Sequence, residues 1–292
     1  HEWPRAPDRL FQGLNEQSLA EHQCHRQQQH EEPSTRTAAP EEQVTDATMM
    51  LLRLPRLGMY RSYAATADEG WTRFVFDDYG FPYVALFDAD IKAGGLAERF
   101  DSIIIPGQSP AQIASGLAAG SADPMYTGGL GETGRAALRD FVTDGGQLIC
   151  LGPSCDYAVE ALGLRVRNSL KGLKPEEFYL PGSLLRVMLD TDHPVAYGMP
   201  QEAVVLAVQS PAYAVEDGIV IGRYPPTGVL QSGWILGEKH IQDQAPIVEV
   251  PHGQGNVILL GPRVQFRAQT RGAYKLLFNS ILLGSSDEVI VE

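Results

Sequence analysis

An α/β three-layer sandwich with a mostly parallel sheet and an added β hairpin is the fold class predicted for residues 51–285, and three observations predict it. From Leu54 onward, short apolar runs alternate with helix-period segments, as in a parallel sheet covered by helices. Four runs, Leu57 to Tyr60, Tyr83 to Phe87, Ser102 to Pro106 and Gln147 to Leu151, are apolar enough to be strands buried on both faces. Beyond Leu162 the texture turns to β, and Ile247 to Val250 with Val257 to Leu260 read as a hairpin around His252-Gly-Gln-Gly255.

The helices follow from periodicity and caps. After the first strand, Asp68 and Glu69 precede Trp71, Phe74, Val75 and Tyr79. That spacing makes one apolar stripe, with Asp68 as the expected cap of the first turn and Gly80 as the stop. A second helix is expected from about Thr133 to Asp144, with Leu138, Phe141 and Val142 inward and Gly145-Gly146 breaking it before the next strand. Ser183 to Asp190, Val204 to Gln209 and Ile219 to Arg223 read as strands. Tyr274, Leu277, Phe278, Ile281 and Leu282 form a closing amphipathic helix, followed by an acidic tail over 286–292.

A chain of 292 residues with 43% hydrophobic content is long enough for one sizeable core. Its formal charge of -13, with the basic residues scattered, argues against a nucleic-acid surface. The longest apolar runs, such as Ala203 to Val208, are too short for a membrane span. The sequence starts at His1 without a basic-then-apolar leader, so the start reads as trimmed. Residues 1–50 are rich in Gln, Glu, His, Pro and Thr and read as a low-complexity, disordered tail. His22, Cys24, His25 and His30 within it are weak candidate ligands for a soft metal, against the simpler reading of a solvated segment. The 3 cysteines, Cys24, Cys150 and Cys155, cannot all pair and suit buried thiols.

The stretch from Gly145 to Gly163, GGQLICLGPSCDYAVEALG, reads as strand, glycine turn and helix, where an α/β enzyme exposes a nucleophile. It resembles the GxCxG elbow of class I glutamine amidotransferases. Ser102 to Gln108, SIIIPGQ, resembles their oxyanion segment, which marks Gly107 and Gln108 as binding candidates. The resemblance implies a flavodoxin-like sandwich. Arg263 to Thr270, RVQFRAQT, resembles the segment that ends in the family's catalytic His-x-Glu pair, but Arg267 and Gln269 stand in those places. An arginine stays protonated and cannot take a proton from a thiol, and a glutamine cannot orient a base as a carboxylate does. Aligned through Glu160-Ala161-Leu162-Gly163, the family's cysteine falls on Gly152, which leaves Cys150 inside the strand and Cys155 inside the helix. Cys150, Ser154 and Cys155 are therefore only weak nucleophile candidates. His193, placed before a proline in an expected surface turn, and the loop residues His240 and His252 are the bases they would need. Arg263 and Arg267 fit a carboxylate ligand at the strand ends, acidic groups of a neighbouring domain or an internal ion pair, and Gln269 is a further binding candidate.

From Pro55 to about Leu283, MYRSYAATADEGWTRFVFDDYGFPY, FDADI, YTGGLGETG, VRNSLKGL, FYLPGSLLRV, DTDHPVAYGMP, SGWILGEK and GPRVQFRAQTRGAYKLLFNSI resemble the carboxyl-terminal region of bacterial zinc carboxypeptidase-like proteins. The resemblance implies a non-catalytic accessory domain. Zinc would belong only to a peptidase domain with an HxxE pair, which this sequence lacks, so no cofactor is expected in this chain. It also implies the peptidase domain or a second copy as partner, a possible small ligand at the strand carboxyl ends, and a periplasmic or extracellular setting. Two other readings stay open. One is a hydrolase or amidotransferase with a rearranged Cys or Ser site; the other is a small-molecule or carbohydrate-associated module. Trp71, Tyr126, Tyr179 and Trp234 are the aromatic candidates for the latter, against their use in core or interface.

Overall fold

The computed structural model describes residues 47–291, so the expected tail and its candidate ligands His22, Cys24, His25 and His30 lie outside the described residues. Thr48–Ile290 form one compact unit, which builds the α/β fold. Its strands are β1 (Ala47–Leu52), β2 (Leu57–Tyr60), β3 (Val84–Leu86), β4 (Ser102–Ile105), β5 (Gln147–Leu151), β6 (Val166–Asn168), β7 (Ser183–Leu189), β8 (Glu202–Ala207), β9 (Tyr213–Val215), β10 (Ile219–Arg223), β11 (Leu230–Ser232), β12 (Ile247–His252), β13 (Gly255–Leu260) and β14 (Ser286–Val291). Its helices are α1 (Ala67–Tyr79), α2 (Asp88–Lys92), α3 (Leu96–Arg99), α4 (Pro110–Ser115), α5 (Gly131–Thr143), α6 (Ser154–Leu162) and α7 (Tyr274–Leu283). Among the described residues no helix is long and apolar enough to cross a membrane.

The centre of the main sheet is parallel, in the order β3-β2-β4-β5-β13. Numbered along the chain, that is the 2-1-3-4-5 order of flavodoxin-like sandwiches. The sheet then continues antiparallel: β12 pairs with β13 across the tight turn at Gly253-Gln254, β10 with β12, and β7 with β10. β8 lines the whole of the other side of β7. β1 and β14 pair separately, so the stretch read as an acidic tail is extended and hydrogen-bonded.

Strand alternation divides the core between the two faces. Ile104, Ile149, Leu151, Ile258 and Leu260 meet α1 and α7 on one face, while Ile103, Ile105, Leu148, Cys150, Val257 and Leu259 meet α2 to α6 on the other. Every residue of β4 and β5 is buried, as expected of strands covered by helices.

Helix α1 departs from the expected detail in two ways. Thr66, not Asp68, is the N-cap: its hydroxyl accepts the Glu69 N–H at 3.1 Å. The inward face carries Asp68, Thr72, Val75 and Phe76, whereas Phe74 and Tyr79 of the expected stripe are exposed. Burying Val75 and Phe76 contributes about 1.5–3 kcal/mol each, and that gain selects this face over the one suggested by Trp71, Phe74 and Tyr79. His193 is also corrected. Its side chain is 8% exposed, its Nε2 lies 2.8 Å from Glu249 Oε2, and Asn256 Nδ2 donates to Glu249 Oε1. The turn after β7 is thereby pinned to the sheet. Along the free side of β8, the Arg263 N–H donates to Leu206 O and the Thr270 hydroxyl to Val204 O.

Candidate functional site

In an open α/β sheet the loops after the strand carboxyl ends face ligands, and the crevice opens where the chain reverses its winding direction. Here that place lies between β2, whose loop leads to α1 on one face, and β4, whose loop leads to α4 on the other. The loops after β5 and β13 complete the same end of the sheet.

After β5 the chain turns through Gly152, whose φ of 55° is the left-handed conformation that a nucleophile elbow requires. No nucleophile stands there. Ser154 is fully buried, and its hydroxyl accepts the Leu151 N–H at 2.9 Å and donates to Ile105 O at 2.8 Å. Cys150 and Cys155 are both 0% exposed, and Cys155 Sγ donates to Cys150 O at 3.2 Å. Burial holds both thiols protonated well above the ordinary cysteine range. Ser154 and Cys155 donate to backbone carbonyls, Cys155 also lies beside the Tyr213 hydroxyl, and His193 is committed to Glu249.

A buried ion pair occupies the strand ends instead. Arg263, arriving from β13, places Nη1 2.6 Å from Asp68 Oδ2, with side-chain exposures of 14% and 5%. Its shaft lies against Gly152, where an added Cβ would sit 3.7 Å from Cγ. Asp68 lies against Gly107, where an added Cβ would be 2.6 Å from Oδ1. Thus Gly107, the expected oxyanion-loop residue, makes room for a carboxylate of the protein itself. Burial raises the Asp68 carboxyl to about 6, with Arg263 pulling in the opposite direction. Gln265 Nε2 donates to Thr72 Oγ1 and Thr72 Oγ1 to Asp68 O, which ties the same segment to α1.

Arg263 thus forms the internal ion pair. Arg267 and Gln269 are exposed, with Arg267 in a left-handed turn (φ 56°) and its guanidinium over the Phe266 ring at 5.6 Å. The described residues contain no group of three or more His, Cys, Asp or Glu that could hold a metal. Of the aromatic candidates, Trp71 packs edge-on to Phe74 and Phe266, and Tyr179 and Trp234 form an exposed T-shaped pair. Tyr126 meets Tyr63 edge-on at 5.0 Å.

That last contact marks the rim of the switch-point crevice, a cleft of about 330 Å³ above β2, β3 and β4. Tyr63 stacks on Phe87 at 4.9 Å and 17°, and the Arg61 guanidinium lies 5.5 Å above Phe87. Glu69 faces Arg61 with Oε1 at 3.8 Å from Nε and 3.8 Å from the Arg73 guanidinium, too far for a hydrogen bond. Oε1 is closed off from solvent and has no hydrogen-bond partner. Gln108 lines the same cleft, its amide donating to Ala64 O at 3.0 Å. Arg61, Tyr63, Glu69 and Phe87 were missed by sequence reasoning; their one signal is position, after β2 and β3, which only the observed order makes neighbours of the crevice.

No protein-family model and no curated protein matches this chain. Among solved structures, a ThuA-like protein from Bacteroides uniformis is 15% identical over 79% of this chain and 91% of its own, with a TM-score of 0.45. A glutamine amidotransferase from Thermotoga maritima is 10% identical over 79% of this chain and 85% of its own, with a TM-score of 0.45. A β-galactosidase from Bacillus circulans sp. alkalophilus is 8% identical over 77% of this chain but only 30% of its own, with a TM-score of 0.47. Likeness at that level is too distant to transfer a ligand or a reaction to this chain.

Proposed function

We propose that the chain is a non-catalytic, amidotransferase-like accessory domain of a zinc carboxypeptidase-like protein. The observation that carries the reading is the Asp68–Arg263 pair, which fills the ends of β4, β5 and β13 where an acyl-transfer site needs an exposed nucleophile, a base and an oxyanion pocket. The elbow bend is kept at Gly152 while its chemistry is gone. The accessory role rests on the segments quoted above, from Met59 to Ile281, and on the missing HxxE motif.

Two measurements test the two halves. The chain with Cys24→Ser should hydrolyse amide and ester substrates no faster than buffer, and Cys150 and Cys155 should resist iodoacetamide until the protein is unfolded. Turnover that disappears in Ser154→Ala or Cys155→Ala would sink the non-catalytic reading. For the accessory half, light scattering of the chain mixed with the peptidase domain of such a carboxypeptidase-like protein should report a stable complex; separate species at micromolar concentration would remove it.

A further inference from the structure

We infer that the switch-point cleft is a binding site for a neutral, polyhydroxylated ring such as a hexose unit, held against the Tyr63–Phe87 wall and hydrogen-bonded between Arg61 and Glu69. The inference does not rest on the accessory reading: it concerns a different part of the strand ends from the Asp68–Arg263 pair.

The volume sets the scale. At about 330 Å³ the cleft lies at the lower end of the range for small-molecule sites, which admits a compact ligand and little more. Charge comes next. Its charged lining residues are one cation, Arg61, and one anion, Glu69, so the lining offers no net attraction to an ion, and the overall charge of -13 opposes an anion further. A neutral ligand fits this balance best.

Hydrogen bonding then selects among neutral ligands. The rim mixes donors, the Arg61 guanidinium and the hydroxyls of Ser62 and Thr66, with acceptors, the Glu69 carboxylate and the Gln108 amide oxygen. A hydroxyl is the one common ligand group that donates and accepts at once. Once the exposed Arg61 side chain turns slightly outward from its 3.8 Å approach to Glu69, a hydroxyl between the two accepts from the guanidinium and donates to the carboxylate, so the unfilled Oε1 gains its donor. An α-amino acid would have to part the two charges and satisfy each with one of its own. An apolar ligand would leave the carboxylate buried without a donor, which is costly. The room for movement exists on the Arg61 side, whose side chain is 44% exposed against 16% for Glu69.

The wall completes the match. Tyr63, stacked on Phe87, lines the cleft with it and presents aromatic surface beside the polar groups. The ring C–H groups of a sugar pack on such surface while its hydroxyls point to the rim.

The experiment is ligand-detected NMR and calorimetry on the full chain with a panel of neutral mono- and disaccharides, alongside glucuronate, inorganic phosphate and free amino acids. At least one neutral sugar should bind. Glu69→Gln should weaken it by about tenfold or more, as expected when a hydrogen bond to a charged group is lost, and Arg61→Ala, at an exposed position that spares the fold, should weaken it similarly. The inference is overturned if no neutral sugar binds, if the anions or amino acids bind in preference, or if binding is indifferent to both variants while circular dichroism shows them folded. Any of these leaves the non-catalytic reading standing, because the thiol-labelling and turnover measurements probe the other site.

Discussion

Replacing Arg263 with methionine removes the cation from the buried pair while keeping most of the side chain that packs against Gly152. Asp68 would then be a carboxylate at 5% exposure with neither oxygen bonded, since Oδ1 already lacks a partner and Oδ2 loses Arg263. Breaking a buried pair from one side costs about 3–5 kcal/mol near neutral pH. The pH dependence supplies the sharper test. Burial raises the folded-state carboxyl from 3.8 to about 6. Between those values the folded protein binds more protons than the unfolded chain, so Asp68 makes stability fall as pH rises through that window, by about 3 kcal/mol when complete. Without Arg263 the opposing influence is gone, and the fall extends to higher pH. Urea unfolding followed by tryptophan fluorescence should therefore show a small loss for Arg263→Met at about pH 4, about 1 kcal/mol for the lost hydrogen bond, and the full loss at about pH 7.5. The double variant Asp68→Asn/Arg263→Met should recover most of it, because an uncharged amide is cheaper to bury than a lone carboxylate. An equal loss at both pH values, or a loss below about 1 kcal/mol at neutral pH, would refute the view that this pair is a buried charge device.

Two further outcomes follow from the geometry of the same layer. Gly152→Cys has space for its Cβ, 3.7 Å from Arg263 Cγ and 3.9 Å from Nε; the new thiol should titrate below the ordinary cysteine range beside the guanidinium, read as the pH dependence of alkylation, yet give no ester turnover for want of a base. His193→Ala leaves Glu249 with Asn256 as its remaining side-chain partner, and should cost about 2 kcal/mol by thermal unfolding, with Glu249→Gln added to recover part of it.

Much of the fold was legible because the parallel strands are short and largely apolar and because glycines end the helices between them. Leu57 to Tyr60 and Gln147 to Leu151 lie where the apolar runs place them, and Gly80 and Gly145 take the positive φ that ends their helices. What the pattern could not show was the pairing of distant parts. The facing of α1 was misread because Trp71, Phe74 and Tyr79 outweigh Thr72 in hydrophobicity, while the buried Asp68 looked like a cap. Asp68 needs Arg263 as partner, 195 positions away, and nothing local to either residue reports that. The same holds for His193 and Glu249. The crevice was invisible for a related reason: Arg61 and Glu69, on the loop and helix that follow β2, meet Phe87 after β3 only once the strand order is known. Arg267 and Gln269, by contrast, could be read from the sequence alone as a pair without a general base.

The segment from Arg263 to Thr270 has a second consequence. A sheet that ends in a long, bare strand invites another chain to add to it, and proteins blunt such borders with charge, brevity or cover. At one border β3 is only 3 residues long. At the other, the Val204 and Leu206 carbonyls of β8 are already taken by Thr270 and Arg263. The stretch from Arg263 to Thr270 thus shields the β8 border against strand addition, so the main sheet is not lengthened from that side.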